Sequence, residues 1–212
     1  MDEKRDLARE LARQHYAQGD PLGWFEDLYN QANRDFETIP WADRAVNPHL
    51  AAWCDRESLP RPGSRVLVVG CGLGDDAEYL AARGAHVTAF DLSETAIGWC
   101  RERFPESTVD YQVANLLTST GRYDLVVEIY TLQAMPLDMR ARAIDAVAEL
   151  SNELVIICRG RDESDPPGQL PWPLTPADIQ RLETAGLKIL QFEDFDDPYD
   201  PGKRRFRVHL RR

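Results

Sequence analysis

The chain has 212 residues, with 36 acids against 25 bases and a formal net charge of −11. That length suits one domain with a full core. A surface so negative repels phosphate backbones and anionic lipid, so neither nucleic acid nor a membrane is an expected partner.

In chain order, residues 3–18 read as a polar helix with a thin apolar stripe of Leu7, Leu11 and His15, broken by Gly19-Asp20-Pro21. Leu22 to Arg34 reads as a second helix carrying Trp24, Phe25, Leu28 and Tyr29. Ile39-Pro40-Trp41 is a loop, and Pro48 to Arg56 is a third helix with Leu50 and Trp53. Trp24 and Trp53 are expected in helix cores, whereas Trp41 is expected to act as a lid.

Strands follow from Val66 to Val69 and from His86 to Phe90, with a helix from Asp76 to Arg83 between them that Gly84 stops. A helix runs from Leu137 to about Ser151, and another begins at Thr175-Pro176-Ala177-Asp178, where Thr175 caps and Pro176 suits the first turn. Leu187 to Phe195 and Arg204 to Leu210 are expected to pair antiparallel, with the last strand inserting beside its predecessor. The basic run Lys203-Arg204-Arg205-Phe206-Arg207 with Arg211-Arg212 alternates like a solvated edge.

The richest stretch is Val66-Leu67-Val68-Val69-Gly70-Cys71-Gly72-Leu73-Gly74-Asp75-Asp76, followed by Asp91 at the end of the next strand. Four apolar residues make a buried parallel strand. Glycines after it let the backbone turn sharply and approach a ligand. An acid at the carboxyl end of the second strand borders the ligand crevice and can accept both ribose hydroxyls of an adenosine.

A dinucleotide fingerprint needs glycine at the first, third and sixth positions. Counting from Gly70, the sixth is Asp75. The pyrophosphate would rest on a helix end that carries Asp75 and Asp76. One like-charge pair at about 4 Å and an effective dielectric near 20 costs on the order of 4 kcal/mol. The loop therefore argues against NAD and a nucleotide-dependent oxidoreductase. It suits a cofactor with no phosphate and a positive centre.

This stretch resembles the first motif of the class I S-adenosylmethionine-dependent methyltransferases. Gly70, Gly72 and Gly74 fall where that family places its glycines, and Asp91 where it places its ribose acid. The resemblance runs for about 90 residues, through the strands near 109–113, 123–128 and 154–158. The family usually has Asp where this chain has Asn115, whose carbonyl can still accept from an adenine amino group. The resemblance implies an α/β Rossmann-like sheet of seven mostly parallel strands, an antiparallel last strand and helices on both faces. It also implies S-adenosyl-L-methionine held by Gly70, Cys71, Gly72, Gly74, Asp91, Leu92, Asn115, Leu116 and Glu128.

The cofactor brings the electrophile, so the protein supplies positioning, a dry pocket and sometimes a base. Substrate groups are sought on the loops after the fourth and fifth strands and on the cover: Trp41, Tyr130, Gln133 and Arg159. Arg159 can pair a carboxylate or other anion. The Asn/Asp-Pro-Pro-aromatic motif of amino-group methyltransferases is missing after the fourth strand, and Asp165-Pro166-Pro167-Gly168 reads as a loop. The amino-terminal segment also resembles, more faintly, the cover of thiopurine, thiol and halide methyltransferases.

Cys54, Cys71, Cys100 and Cys158 show no paired spacing, and the four histidines are scattered, so no metal is expected. No apolar run approaches the roughly 18 residues of a spanning helix, and Met1 to Arg5 leads into no signal core. Reduced thiols fit a cytoplasmic protein.

The expected organisation is a helical cover over 1–60 packed on a methyltransferase domain over 61–212, as a monomer or homodimer. The expected activity is metal-independent methyl transfer to a small molecule. A thiol comes first, because a thiol of lowered pKa needs no protein base and no histidine stands out near the site. O- or N-methylation of a small metabolite, and a non-catalytic regulatory protein that binds the same cofactor, are the alternatives.

Overall fold

In the computed structural model, which describes residues 2–212, three helices precede the sheet: α1 (Asp2–Ala17), α2 (Trp24–Ala32) and α3 (Pro48–Glu57). Then β1 (Arg65–Val69), α4 (Asp75–Ala82), β2 (His86–Asp91), α5 (Glu94–Arg103) and β3 (Asp110–Val113) alternate. The second half runs β4 (Leu125–Ile129), α6 (Leu137–Leu150), β5 (Glu153–Arg159), α7 (Pro176–Thr184), β6 (Lys188–Asp196) and β7 (Arg204–Arg211).

The seven strands lie in the order β3-β2-β1-β4-β5-β7-β6. The pairs from β3 to β5 are parallel, and β7 is antiparallel to both β5 and β6. This is the seven-stranded Rossmann-like sheet expected from the sequence. Chain order reverses beside β1, so a crevice opens where the β1 and β4 loops part.

The alternation of β1 explains its burial on both faces. Val66 and Val68 pack with α3, α4 and α5, while Leu67 and Val69 pack with α6 and α7. Helix α5 has no counterpart in the sequence reading, although Ser93 caps it by accepting the N–H of Ala96 at 3.0 Å. Its apolar residues Ala96, Ile97, Trp99 and Cys100 split between two packing surfaces, which blurs a single periodic face. The capping box of α7 is present, with Thr175 and Asp178 satisfying each other's backbone.

One expectation needs correction. The basic carboxyl-terminal strand is not a solvated edge. It is β7, an interior strand whose Phe206, Val208 and Leu210 are fully buried. Its arginines alternate because they pair with acids: Arg204 with Asp194, Arg205 with Asp197 and Arg207 with Glu193. The edge position belongs to β6.

The helices before the sheet are bound to it by apolar and polar contacts. Leu50, Trp53 and Cys54 of α3 share a core cluster with β1, β4 and β5. Glu26 of α2 accepts from the hydroxyls of Ser93 and Thr95, each at 2.5 Å, and so clamps the start of α5. Trp24 is fully buried, as is Trp53, whose ring meets His209 edge-on at 5.1 Å between centroids.

Truncating Trp53 empties a packed site between α3 and the sheet. Trp53→Ala is expected to lower unfolding stability by about 3–5 kcal/mol, read from the urea midpoint. A loss below 1 kcal/mol would show that α3 is peripheral to the cooperative unit.

Candidate active site

A cavity of about 520 Å³ opens over the carboxyl ends of the parallel strands. That is within the range of cofactor and substrate pockets. The glycine loop forms its floor. Gly70 (φ +59°) and Gly72 (φ +54°) are in the left-handed region, where a side chain is strained. A Cβ on Gly70 would collide with the Thr131 side chain, and one on Gly72 would stand 3.3 Å from the Tyr29 hydroxyl.

Asp91 anchors this loop. Its Oδ2 accepts the Gly72 N–H at 2.9 Å and its Oδ1 accepts the Ser93 N–H at 3.0 Å. It is 7% exposed, and burial pushes its pKa up against those backbone donors. A carboxylate has about four acceptor sites, so two stay free for ribose hydroxyls. Leu92, Leu116 and Asn115 line the same end of the cavity. Asn115 Oδ1 already accepts the Leu117 N–H at 2.9 Å, which fixes the amide and leaves one carbonyl lone pair. Cys71 lines the floor, and its thiol is pushed well up by the Cys100 thiol and by burial, so it is protonated.

The two acids after the loop differ. Asp75 pairs with Arg103 through two contacts at 2.8 and 3.0 Å. Asp76 lines the cavity, accepts the Asn47 N–H at 2.7 Å and is pushed up to about 6 by burial. Negative charge therefore sits where a pyrophosphate would go.

Gly74 and Glu128 lie off the wall. Gly74 starts α4, and its space is filled by Tyr111 and Cys100. Glu128 is fully buried on the α6 face of β4. Its Oε1 accepts the N–H groups of Thr131 (2.7 Å) and Leu132 (2.8 Å), so it caps the turn after β4 instead of meeting ligand. Strand alternation decides this: Ile129 packs on the other face, Tyr130 leaves the strand at φ +65° and joins it there, and the next turn swings over the glycine loop.

Residues expected to face substrate do gather in one place. Trp41 lines the cavity and donates its indole N–H to the Tyr29 hydroxyl at 2.8 Å, above Gly72. Tyr130 is strained at φ +65° and takes the Asn47 amide N–H on its hydroxyl at 3.2 Å. Gln133 ties two segments together, accepting the Arg159 N–H at 2.7 Å on its side chain and the Trp172 N–H at 2.8 Å on its carbonyl. Arg159 lines the wall beside it.

Sequence reasoning missed His49. It lies at the amino end of α3, far from the strand loops in sequence, and a lone histidine in a helix carries no motif. In the fold it lines the cavity at 5% exposure, with Nε2 3.1 Å from Asp197 Oδ1. Burial lowers its pKa, with Arg205 and Arg207 adding to that against the pull of Asp197. A neutral ring that offers Nε2–H to Asp197 keeps its Nδ1 lone pair. Arg205 holds Asp197 from the far side at 2.6 Å.

The comparisons with known proteins agree with this geometry. Residues 66–153 match the model of a methyltransferase domain. The stretch from β1 to the start of β5 is thus similar to a methyltransferase domain. A ubiquinone biosynthesis O-methyltransferase of Aromatoleum aromaticum is 40% identical over 97 residues, which cover 43% of this chain and 41% of that protein. The matched part thus spans well under two thirds of that relative's length. Magnesium protoporphyrin IX methyltransferase of Synechocystis, solved with bound S-adenosylhomocysteine, superposes with a TM-score of 0.71 at 21% identity, covering 89% of this chain and 98% of its own. The [4+2]-cyclase SpnF does so with a TM-score of 0.69 at 18% identity, covering 91% and 95%. At such identities the methyltransferase domain shares a fold with these structures, and a fold alone does not fix an activity.

Burial raises the Glu128 pKa from 4.5 to about 7. A raised carboxyl favours folding while protonated, and that contribution is lost as pH climbs from about 4.5 through 7. Glu128→Gln keeps the acceptor for Thr131 and Leu132 without the charge. Its thermal stability relative to the parent chain is therefore expected to improve between pH 5 and pH 8. An unchanged difference across that range would show that Glu128 does not titrate in the folded protein.

Proposed function

We propose that the chain transfers the methyl group of S-adenosylmethionine to a hydroxyl of a small molecule, without a metal. The carrying observation is the glycine loop braced by Asp91, joined in one cavity to the loops after β4 and β5. Asp91, Leu92, Asn115 and Leu116 would hold the adenosine, and Gly70 to Gly72 would lie along the rest of the cofactor. Trp41 would close the pocket, with Tyr130, Gln133 and Arg159 facing the acceptor.

His49 moves the acceptor from thiol toward hydroxyl. The thiol expectation leaned on the lack of a nearby histidine, and a phenolic or alcoholic proton needs a base where a low-pKa thiol does not. A neutral imidazole aligned by Asp197 and Arg205 supplies one. The O-methyltransferase relative supports the same direction. The cyclase that shares this fold shows only that the fold is not tied to one activity. The proposal also includes a cytoplasmic location, a helical cover over 1–60, no nucleic-acid partner, and a monomer or homodimer. Among the described residues no helix is long and apolar enough to cross a membrane.

Calorimetric titration tests the cofactor. S-adenosylmethionine and S-adenosylhomocysteine are expected to bind and NAD is not. Asp91→Ala is expected to weaken S-adenosylhomocysteine by about 2–4 kcal/mol, the value of one or two charge-assisted hydrogen bonds. Parental affinity in that variant would remove Asp91 from the ribose.

Turnover tests the base. With catechol as acceptor, His49→Gln is expected to slow S-adenosylhomocysteine release by about 100-fold or more, while thiophenol is little affected. Because the His49 pKa lies below its usual value, the parental rate is expected to fall only on the acid side of that value. Equal losses with both acceptors would mean that His49 is structural.

A further inference from the structure

The acceptor half of the cavity carries a cation that, among the described residues, no ion pair holds, although Asp200 attracts it from farther off. Arg159 ends β5 and Arg205 is the second residue of the antiparallel β7, where the two are direct register partners. Like charges placed directly opposite on neighbouring strands are destabilising. Arg5 of α1 reaches the same place from the cover, and all three line the cavity.

The nearby acids are already engaged. Asp197 takes Arg205 at 2.6 Å, and Asp200 stands 3.6 Å from Arg205 and 3.9 Å from Arg5. Among the described residues, no acid or other acceptor lies within bonding distance of the Arg159 guanidinium. Its backbone is fully committed: its N–H goes to Gln133, and its carbonyl accepts the Leu174 N–H at 2.9 Å. The strand is thus pinned while the side chain is left over. Burial, Arg5 and Arg205 together push its pKa down to about 10, so it is still charged at neutral pH. In a chain of net charge −11, a surface arginine finds an acid readily. This one faces the pocket.

We infer that Arg159 seats an oxyanion, a carboxylate or phosphate, carried by the methyl acceptor. The inference rests on reading this cavity as an acceptor site. A planar guanidinium takes a carboxylate or phosphate through two parallel hydrogen bonds, and Arg5 and Arg205 add positive field. Strand β5 lies two strands from β1, about 10 Å across the sheet. An acceptor that reaches from the β1 loop to Arg159 therefore crosses about that distance. The cofactor's own carboxylate has the same chemistry, so the experiment separates the two sources.

The full chain, saturated with S-adenosylhomocysteine at pH 7.5, is titrated with benzoate, phenyl phosphate and neutral benzamide by ligand-observed NMR. One of the two anions is expected to bind at least ten-fold more tightly than benzamide, and which one it is tells carboxylate from phosphate. Arg159→Gln is expected to bring that ratio close to one, and Arg159→Lys to restore part of it. Arg159→Gln should leave S-adenosylhomocysteine affinity unchanged and should not lower the melting temperature, because the side chain it removes holds nothing in the protein and stands opposite a like charge. A ratio near one in the parent chain, or a ratio that survives Arg159→Gln, overturns the inference. So does a fall in S-adenosylhomocysteine affinity in Arg159→Gln, which assigns the guanidinium to the cofactor. Failure of the parent chain to bind S-adenosylhomocysteine at all would instead bring down the methyltransferase reading beneath it.

Discussion

A buried carboxylate at the end of β2 sets the geometry on which the site depends. Removing Asp91 from water is unfavourable unless its oxygens are hydrogen-bonded. Here each oxygen takes one backbone N–H, from Gly72 on one side and Ser93 on the other. The first bond holds the glycine loop in its left-handed conformation. The second fixes the entry to α5, where Ser93 is also gripped by Glu26 from the cover. One side chain thus joins the loop, the second strand and the amino-terminal helices, and it still has acceptor sites to offer a ligand.

The sheet order then divides the cavity. Strands β1, β2 and β3 present Asp91, Leu92 and Asn115 at one end, while β4, β5 and β7 present Tyr130, Arg159 and Arg205 at the other. The junction is the β1–β4 pair, where Thr131 donates its hydroxyl to the Val69 carbonyl at 3.1 Å and fills the space above Gly70. Glu128 stabilises that turn from beneath by capping two of its N–H groups. Tyr130 accepts backbone strain there, which the surrounding packing must over-determine. Strain at a strand end beside a cavity fits a residue held for its position.

Charge is distributed in the same divided way. The end formed by β1 and β2 is acidic, with Asp91 and Asp76 on the wall, and repels phosphates. The far end is basic, and its arginines outnumber the acids that answer them. Beside the basic end lies His49, kept neutral by burial and turned by the same Asp197 that holds Arg205. A ligand with a positive centre and one with a negative group would meet complementary walls.

Local sequence was enough for the elements whose residues carry their own reason. Four apolar residues followed by glycines made β1 and its loop legible, Asp91 announced itself by its place at the next strand end, and the Thr175–Asp178 box marked α7. Tyr130, Gln133 and Arg159 were legible because loops at strand ends in such a sheet face the crevice, and Trp41 because it lies in a loop before the sheet. What sequence left open was decided by packing between distant segments. Helix α5 was hidden because its apolar residues serve two clusters. The basic strand β7 looked solvated because its acidic partners lie on β6 and in the turn beyond, invisible to alternation along one strand. Glu128 turned away because side chains on a strand alternate and the fold chose which face is covered by α6. His49 and Asp197 are 148 positions apart, so only the tertiary structure brings an imidazole and its carboxylate together at the acceptor wall.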